Sequence, residues 1–346
     1  MANKEPKKQH YVPQFLLRNF ALGKKKRIHI FDIKAGKYFT SHVKDTGHEN
    51  NFYHHPEDGD QMEFELGKLE TQVAPIIDGI ISNGSIQHLT TQESELIGLF
   101  TVVQMMRVNS LRESLTEMTE MIFEKLKGDS IASGSQAEAF LASLSEQDSK
   151  TQSIEMLKEM PQELLPYILD KSLSLVKAPK GESFYLSDNP IVKYNNLPRE
   201  HRGNLGLALK GIEVHFPISP RYCLSYLCSE LIDDIRRAVA RHQSGVLIGL
   251  VPPDDQADAI QMLDNIDHKK TQVLTSANMD YHNSLQVLHC SRFVYSSTGN
   301  FQLLENMLEK DPNIAFKQRV MDEVKFSNKQ FKLIRNAWRF RFQLVW

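Results

Sequence analysis

The sequence predicts an α+β fold, with a helical N-terminal half packed on a mainly antiparallel C-terminal sheet. Two patterns lead to it. Between about residues 61 and 127 the apolar positions recur at helical spacing. Beyond about residue 180, short β-branched and aromatic runs are bounded by Pro, Gly, Asn or Asp, as strands are. Such a sequence builds its sheet from hairpins, with helices gathered against it.

The elements follow in order. In QHYVPQFLLRNFA (residues 9–21) Pro13 disfavours αR at Val12, so His10 and Tyr11 are expected to be extended against a helix that opens near Phe15. Ile28, Ile30 and Phe31, the turn Lys34-Ala35-Gly36, and then Tyr38, Phe39 and Val43 read as a β-hairpin. After a turn-rich loop, HENNFYHHPEDGD, a helix runs from about Gln61 through Leu66, Leu69, Val73 and Ile77 to a stop at Asn83-Gly84. Thr90-Thr91-Gln92-Glu93 starts a second helix, carrying Leu96, Leu99, Phe100, Val103 and Met106, that is expected to reach about Lys127. Residues 128–150, rich in Ser, Gly, Ala and acids, read as an insertion or hinge, and residues 151–178 as helix. Strands are then expected within ESFYLSDNPIVKYN, IEVHFPISPRYCLSYL, SGVLIGLVPP and SRFVYSS, with helices at about 253–266 and 272–289.

Composition narrows the function. Forty-one basic and 43 acidic residues leave a formal charge of −2, so no global field favours nucleic acid or an anionic membrane. Three dispersed cysteines suggest neither a disulfide framework nor a zinc ribbon and fit a reducing cytoplasm. No signal-peptide h-region and no apolar run of about 18 residues is seen, so the chain is expected to be neither secreted nor membrane-spanning. The nucleotide-binding P-loop, GxGxxG after a strand, the GxSxG elbow and the kinase motifs are missing.

Three stretches could carry chemistry. The first sets His10 beside Gln14 and Arg18, which lie four apart on one helical face, a grouping suited to proton transfer, phosphate clamping or metal ligation. Its alternative is a docked N-terminal segment whose polar groups meet backbone carbonyls. The second is Gln104 with Arg107, the latter on an apolar stripe where a charge needs a partner, either a structural carboxylate or a ligand anion. The third is Asp188-Asn189 at a strand end, readable as a tight turn or as a site. The acids Glu63, Glu65 and Glu70 read as a solvated helix face, and ENNFYHH lacks the spacing of a specific metal motif. In residues 325–346, KFSNKQFKLIRNAWRFRFQLVW, six basic residues alternate with six aromatic ones; nucleic-acid binding competes there with a docked amphipathic helix.

HYVPQFLLRNFA, the NNFYHH loop, Gln104 with Arg107, SDNPIV, and Asn283 followed by SRFVYSS together resemble a mostly bacterial family of domains of unknown function, marked by its HYVPQ opening. The likeness spans His10 to about Ser297. It implies that His10, Gln14, Arg18, Asn51, Tyr53, Arg107, Asp188, Asn189 and Asn283 belong to one set, and that 1–346 is one domain rather than two; it brings no reaction. The residue types lead to a nuclease or phosphoesterase, and the resemblance to a mostly bacterial family adds the expectation of a role in defence against phage: Arg18 and Arg107 hold phosphate oxygens, His10 moves a proton, and Asp188 orients His10 or holds Mg or Mn. The alternatives are a non-catalytic module sensing a nucleotide or peptide, and a protein-partner subunit acting through its C-terminal segment.

Overall fold

A computed structural model describes residues 8–23, 25–127, 149–197, 205–243 and 253–316. The architecture is α+β. The expected hinge at 128–150, apart from its last two residues, the strand expected within SGVLIGLVPP and the basic aromatic segment 325–346 lie outside the described residues.

The opening segment forms β1 (Lys8–His10) and the short helix α1 (Gln14–Asn19), with Leu16, Leu17 and Phe20 wholly buried. The hairpin is β2 (Arg27–Asp32) and β3 (Lys37–His42); Val43, expected in its second strand, instead enters a 3-10 turn. The strand β4 (His48–Asn50) pairs antiparallel with β1, setting His10 opposite His48. Gly47, at φ 65°, precedes it, where a Cβ would stand 2.9 Å from that of Val12.

Helix α2 (Gln61–Asn83) ends on Gly84 in the left-handed region, as its sequence predicts. Helix α3 (Thr91–Met106) opens with the Thr90–Glu93 capping box. The single helix expected to reach Lys127 is broken at Arg107, and α4 (Asn109–Lys127) follows. The break has a tertiary cause: the Tyr53 hydroxyl donates to the Arg107 carbonyl at 3.0 Å. Helix α5 (Ser149–Leu169) is also shorter than expected, because Ser172–Lys177 is a strand, β5, hydrogen-bonded to a neighbour.

The remaining strands are β6 (Leu186–Ser187), β7 (Val192–Asn195), β8 (Ile212–Pro217), β9 (Tyr222–Leu227), β10 (Gln272–Val273) and β11 (Phe293–Ser296). Between and after them lie α6 (Ser229–Gln243), α7 (Pro253–Asp267), α8 (Ser276–His289) and α9 (Gln302–Lys310); neither α6 nor α9 is expected from the sequence. Two larger sheets result, ordered β10-β5-β9-β8-β7 and β3-β2-β11-β6, antiparallel apart from the β10–β5 pair. The N-terminal hairpin therefore shares a sheet with the C-terminal strand β11, so helix and sheet are not segregated by halves of the sequence. One large core joins α1, α2, α3 and α5 to both sheets, and a smaller one gathers Phe31, Val294, Phe301 and Leu304. Among the described residues no helix is long and apolar enough to cross a membrane.

Candidate functional site

Most of the polar motif residues fall into two knots, joined by Tyr11. The first surrounds the end of α3. Arg107, 2% exposed, donates from Nη1 to Glu70 Oε1 at 2.7 Å, from Nη2 to the His10 carbonyl at 2.6 Å and from Nε to the Tyr53 hydroxyl at 3.2 Å. The guanidinium is thus paired by a structural carboxylate, and each of its nitrogens has a partner, as a buried charge requires. Gln104 donates from Nε2 to the Tyr11 carbonyl at 2.9 Å. Gln9, wholly buried, accepts from the Tyr53 backbone N–H at 2.5 Å and donates to Asp60 at 2.9 Å. Burial pushes the Tyr53 hydroxyl up to about 12.

His10 stands at the edge of this knot, 5.2 Å from the His48 ring, with Gln14 Nε2 3.5 Å from its Nδ1. Burial first, then His48, lowers its pKa to about 4, so the ring is neutral near pH 7. Burial likewise lifts Glu63 to about 7, against the pull of Arg107.

The second knot closes the SDNP turn. Asp188 Oδ1 accepts from the Ser291 N–H at 2.8 Å, and Oδ2 from the Arg292 and Phe293 N–H groups at 2.7 and 2.9 Å. Burial raises this carboxyl to about 6, although the three backbone donors oppose the rise. Asn283 clasps the same strand from α8, accepting from the Tyr185 N–H at 2.7 Å and donating to the Ser183 carbonyl at 3.1 Å. Gln286, one turn later, donates to the Pro190 carbonyl at 3.0 Å, and Asn189 donates to the His289 carbonyl at 3.1 Å. Two residues of the expected set stand apart: Arg18 is exposed on α1, and Asn51 is exposed with φ 55°.

Where the knots meet, the buried Tyr11 side chain lies in the field of Asp188, Glu49, Tyr53 and Glu113. After burial, the largest cause, Asp188 and Glu49 hold its hydroxyl far above the ordinary phenol range. Burial raises Glu49, with Glu113 adding to the rise and Arg112 opposing it. Glu113 is fixed by Asn109 at 3.0 Å and by the Ser291 hydroxyl at 3.0 Å. Arg112 donates to the Phe52 carbonyl at 2.6 Å and lies 3.4 Å over the Phe52 ring. The Tyr295 hydroxyl, wholly buried and without a hydrogen-bond partner, feels both Tyr11 and Asp188. Among the described residues no group of three His, Cys, Asp or Glu side chains is placed to hold a metal ion by itself.

The arrangement is a set of mutually opposed carboxyls around two tyrosine hydroxyls, with arginines at its margin. Carboxyls that burial and a like-charged neighbour hold toward the protonated form attract hydrogen-bond donors and cations. Sequence reasoning leaves out Tyr11, Arg112 and Glu113. The pair Arg112-Glu113 just beyond the Arg107 break is the signal that points toward it, because adjacent opposite charges there follow a run of core residues.

A family model described as "Protein of unknown function (DUF4238)" matches residues 8–300. The chain belongs to this family. No curated protein and no solved structure matches it. The family span holds both knots and the Tyr11 junction complete, and the basic aromatic segment 325–346 falls outside it.

Proposed function

We propose that this family member is a hydrolase of phosphoester bonds, a nuclease or nucleotide phosphoesterase, whose reacting centre lies at Tyr11, Glu49 and Glu113 beside the Asp188 turn. The observation that supports it is that Asp188, Glu49 and Glu113 all act on the buried Tyr11 hydroxyl, while burial and Glu113 hold both Glu49 and Asp188 toward the protonated form. A carboxyl pair of this kind suits acid–base transfer. Mg²⁺ and Mn²⁺ commonly bind through one or two carboxylates together with substrate phosphates, and Glu49 with Glu113 would supply that protein share. Arg112 and Arg292 act on the same groups and would offset phosphate charge.

In this reading Asp188, saturated by backbone donors, is a positioning residue, and Arg107 and His10 frame the site rather than act in it. Three buried cysteines, none of them in a disulfide, agree with a cytoplasmic place of action. A part in defence against phage rests on the resemblance to a mostly bacterial family alone.

The test is turnover of single- and double-stranded DNA and RNA oligonucleotides and of nucleotides, with Mg²⁺ or Mn²⁺, by wild type, Glu49→Gln and Glu113→Gln. Each variant is expected to lose about 10²–10⁴-fold in kcat/KM with unchanged thermal midpoint. A second reading, a module that senses a nucleotide without turnover, is favoured by one feature: the motif amides are spent on backbone groups, which builds a rigid frame. Saturable nucleotide binding with no product, lost in Glu113→Gln, decides for it.

A further inference from the structure

The β1–β4 ladder sets two imidazoles opposite one another, next in sequence to Tyr11 and Glu49. His10 and His48 are partners in register. Their ring centroids are 5.2 Å apart, inclined at 60°. His10 is 8% exposed and its Nε2 makes no hydrogen bond; His48 Nδ1 is likewise buried and unpartnered. The Lys44 backbone acts on the His10 ring and favours its protonated form. Two ring nitrogens left without partners on facing residues are costly unless something else engages them.

We infer that His10 and His48 form a two-imidazole site for a borderline-soft divalent cation such as Zn²⁺, Co²⁺ or Ni²⁺, with water completing the coordination. The spacing suits it: two imidazoles sharing one tetrahedral ion at about 2.0–2.1 Å have centroids roughly 5 Å apart. Imidazole donors favour these ions over Mg²⁺ and Mn²⁺, so this cation differs from the one sought at Glu49 and Glu113.

Gln14 acquires a role. With the ion on His10 Nε2, Nδ1 carries the proton, and the Gln14 amide, now 3.5 Å away through its nitrogen, turns to present its oxygen. That is the outer-shell partner a ligating histidine generally has. Lys8 opposes a cation here through its effect on both rings, and Asp45, 2.6 Å from Lys8, offsets that charge.

The experiment titrates the full chain with Zn²⁺, Co²⁺ and, as control, Mg²⁺, reading thermal midpoint and the visible absorption of bound Co²⁺. Wild type is expected to be stabilised by Zn²⁺ and Co²⁺ and to develop the Co²⁺ band, with no shift at equal Mg²⁺. His48→Phe keeps the ring packing and should lose the band and the shift. Gln14→Leu should weaken binding roughly 10–100-fold. The inference is overturned if wild type shows no Co²⁺ band, if His48→Phe keeps it, or if the shift is lost instead in His54→Ala. None of these outcomes touches Glu49 or Glu113, so this site and the proposed hydrolase stand or fall separately.

Discussion

Single residues in this protein serve mainly by reaching backbone groups far away in sequence. Asp188 joins the SDNP turn to residues 291–293 through three N–H groups. Asp188→Ala leaves those part-buried donors without an acceptor, and urea unfolding should show a loss of about 3–5 kcal/mol. His282 offers a test by pH. Burial, helped by the His215 ring 4.5 Å away, lowers it to about 3. Its folded pKa is depressed below the usual 6.5, so the neutral ring's contribution is present above pH 6.5 and is lost as pH falls toward 3. Glu63, raised to about 7, has the opposite sign: its contribution is present at low pH and is lost as pH rises from 4.5 toward 7. Comparing wild type with His282→Phe removes that overlap. The stability difference between the two should move in the variant's favour by about 3 kcal/mol from pH 7 to pH 4, and a constant difference would refute the assignment.

At the scale of elements, local sequence sets where helices begin and tertiary contacts set where some of them end. The Thr90–Glu93 box and the Gly84 stop are legible because both are satisfied within a few residues. Thr90→Ala should cost about 0.5–2 kcal/mol by chemical denaturation. The break at Arg107 was not legible, because its carbonyl is taken by a tyrosine 54 residues earlier. Tyr53→Phe removes that donor and the acceptor of Arg107 Nε together, and a loss of about 1–3 kcal/mol is expected in the same assay. Strand β5 was hidden for a similar reason: its Ser–Leu alternation follows a helix closely, and its pairing partner β9 lies some 50 residues away. Helix α6, though not among the expected helices, was legible: Leu231, Ile232, Ile235, Ala238 and Val239 recur at helical spacing between charged residues.

The described residues are closed by contacts between early and late segments. Strand β11 sits between β2 and β6, and Arg292 grips Asp32 at 2.7 Å across the same join. The first described residues are equally committed: the His10 and Tyr11 carbonyls receive Arg107 and Gln104. Deleting residues 1–12 removes both acceptors together with β1 and strips one partner from a buried guanidinium. The remaining chain should lose at least about 3–5 kcal/mol, seen as a lower and broader thermal transition.

By itself the sequence determined the fold class, the hairpin, the capped start of α3 and which polar residues stand among apolar neighbours, because each of these is written in local spacing or in residue type. It could not say what those residues touch. Arg107 as a ligand clamp and Arg107 as a partner of Glu70 and of a backbone carbonyl have the same sequence, and so do Asp188 as a metal ligand and Asp188 as a clasp on three N–H groups. Only the tertiary structure decided between them, since the choice depends on partners 37 to 105 residues distant. It also brings Asp188, Glu49 and Glu113, from separate segments, to bear on the buried Tyr11 hydroxyl.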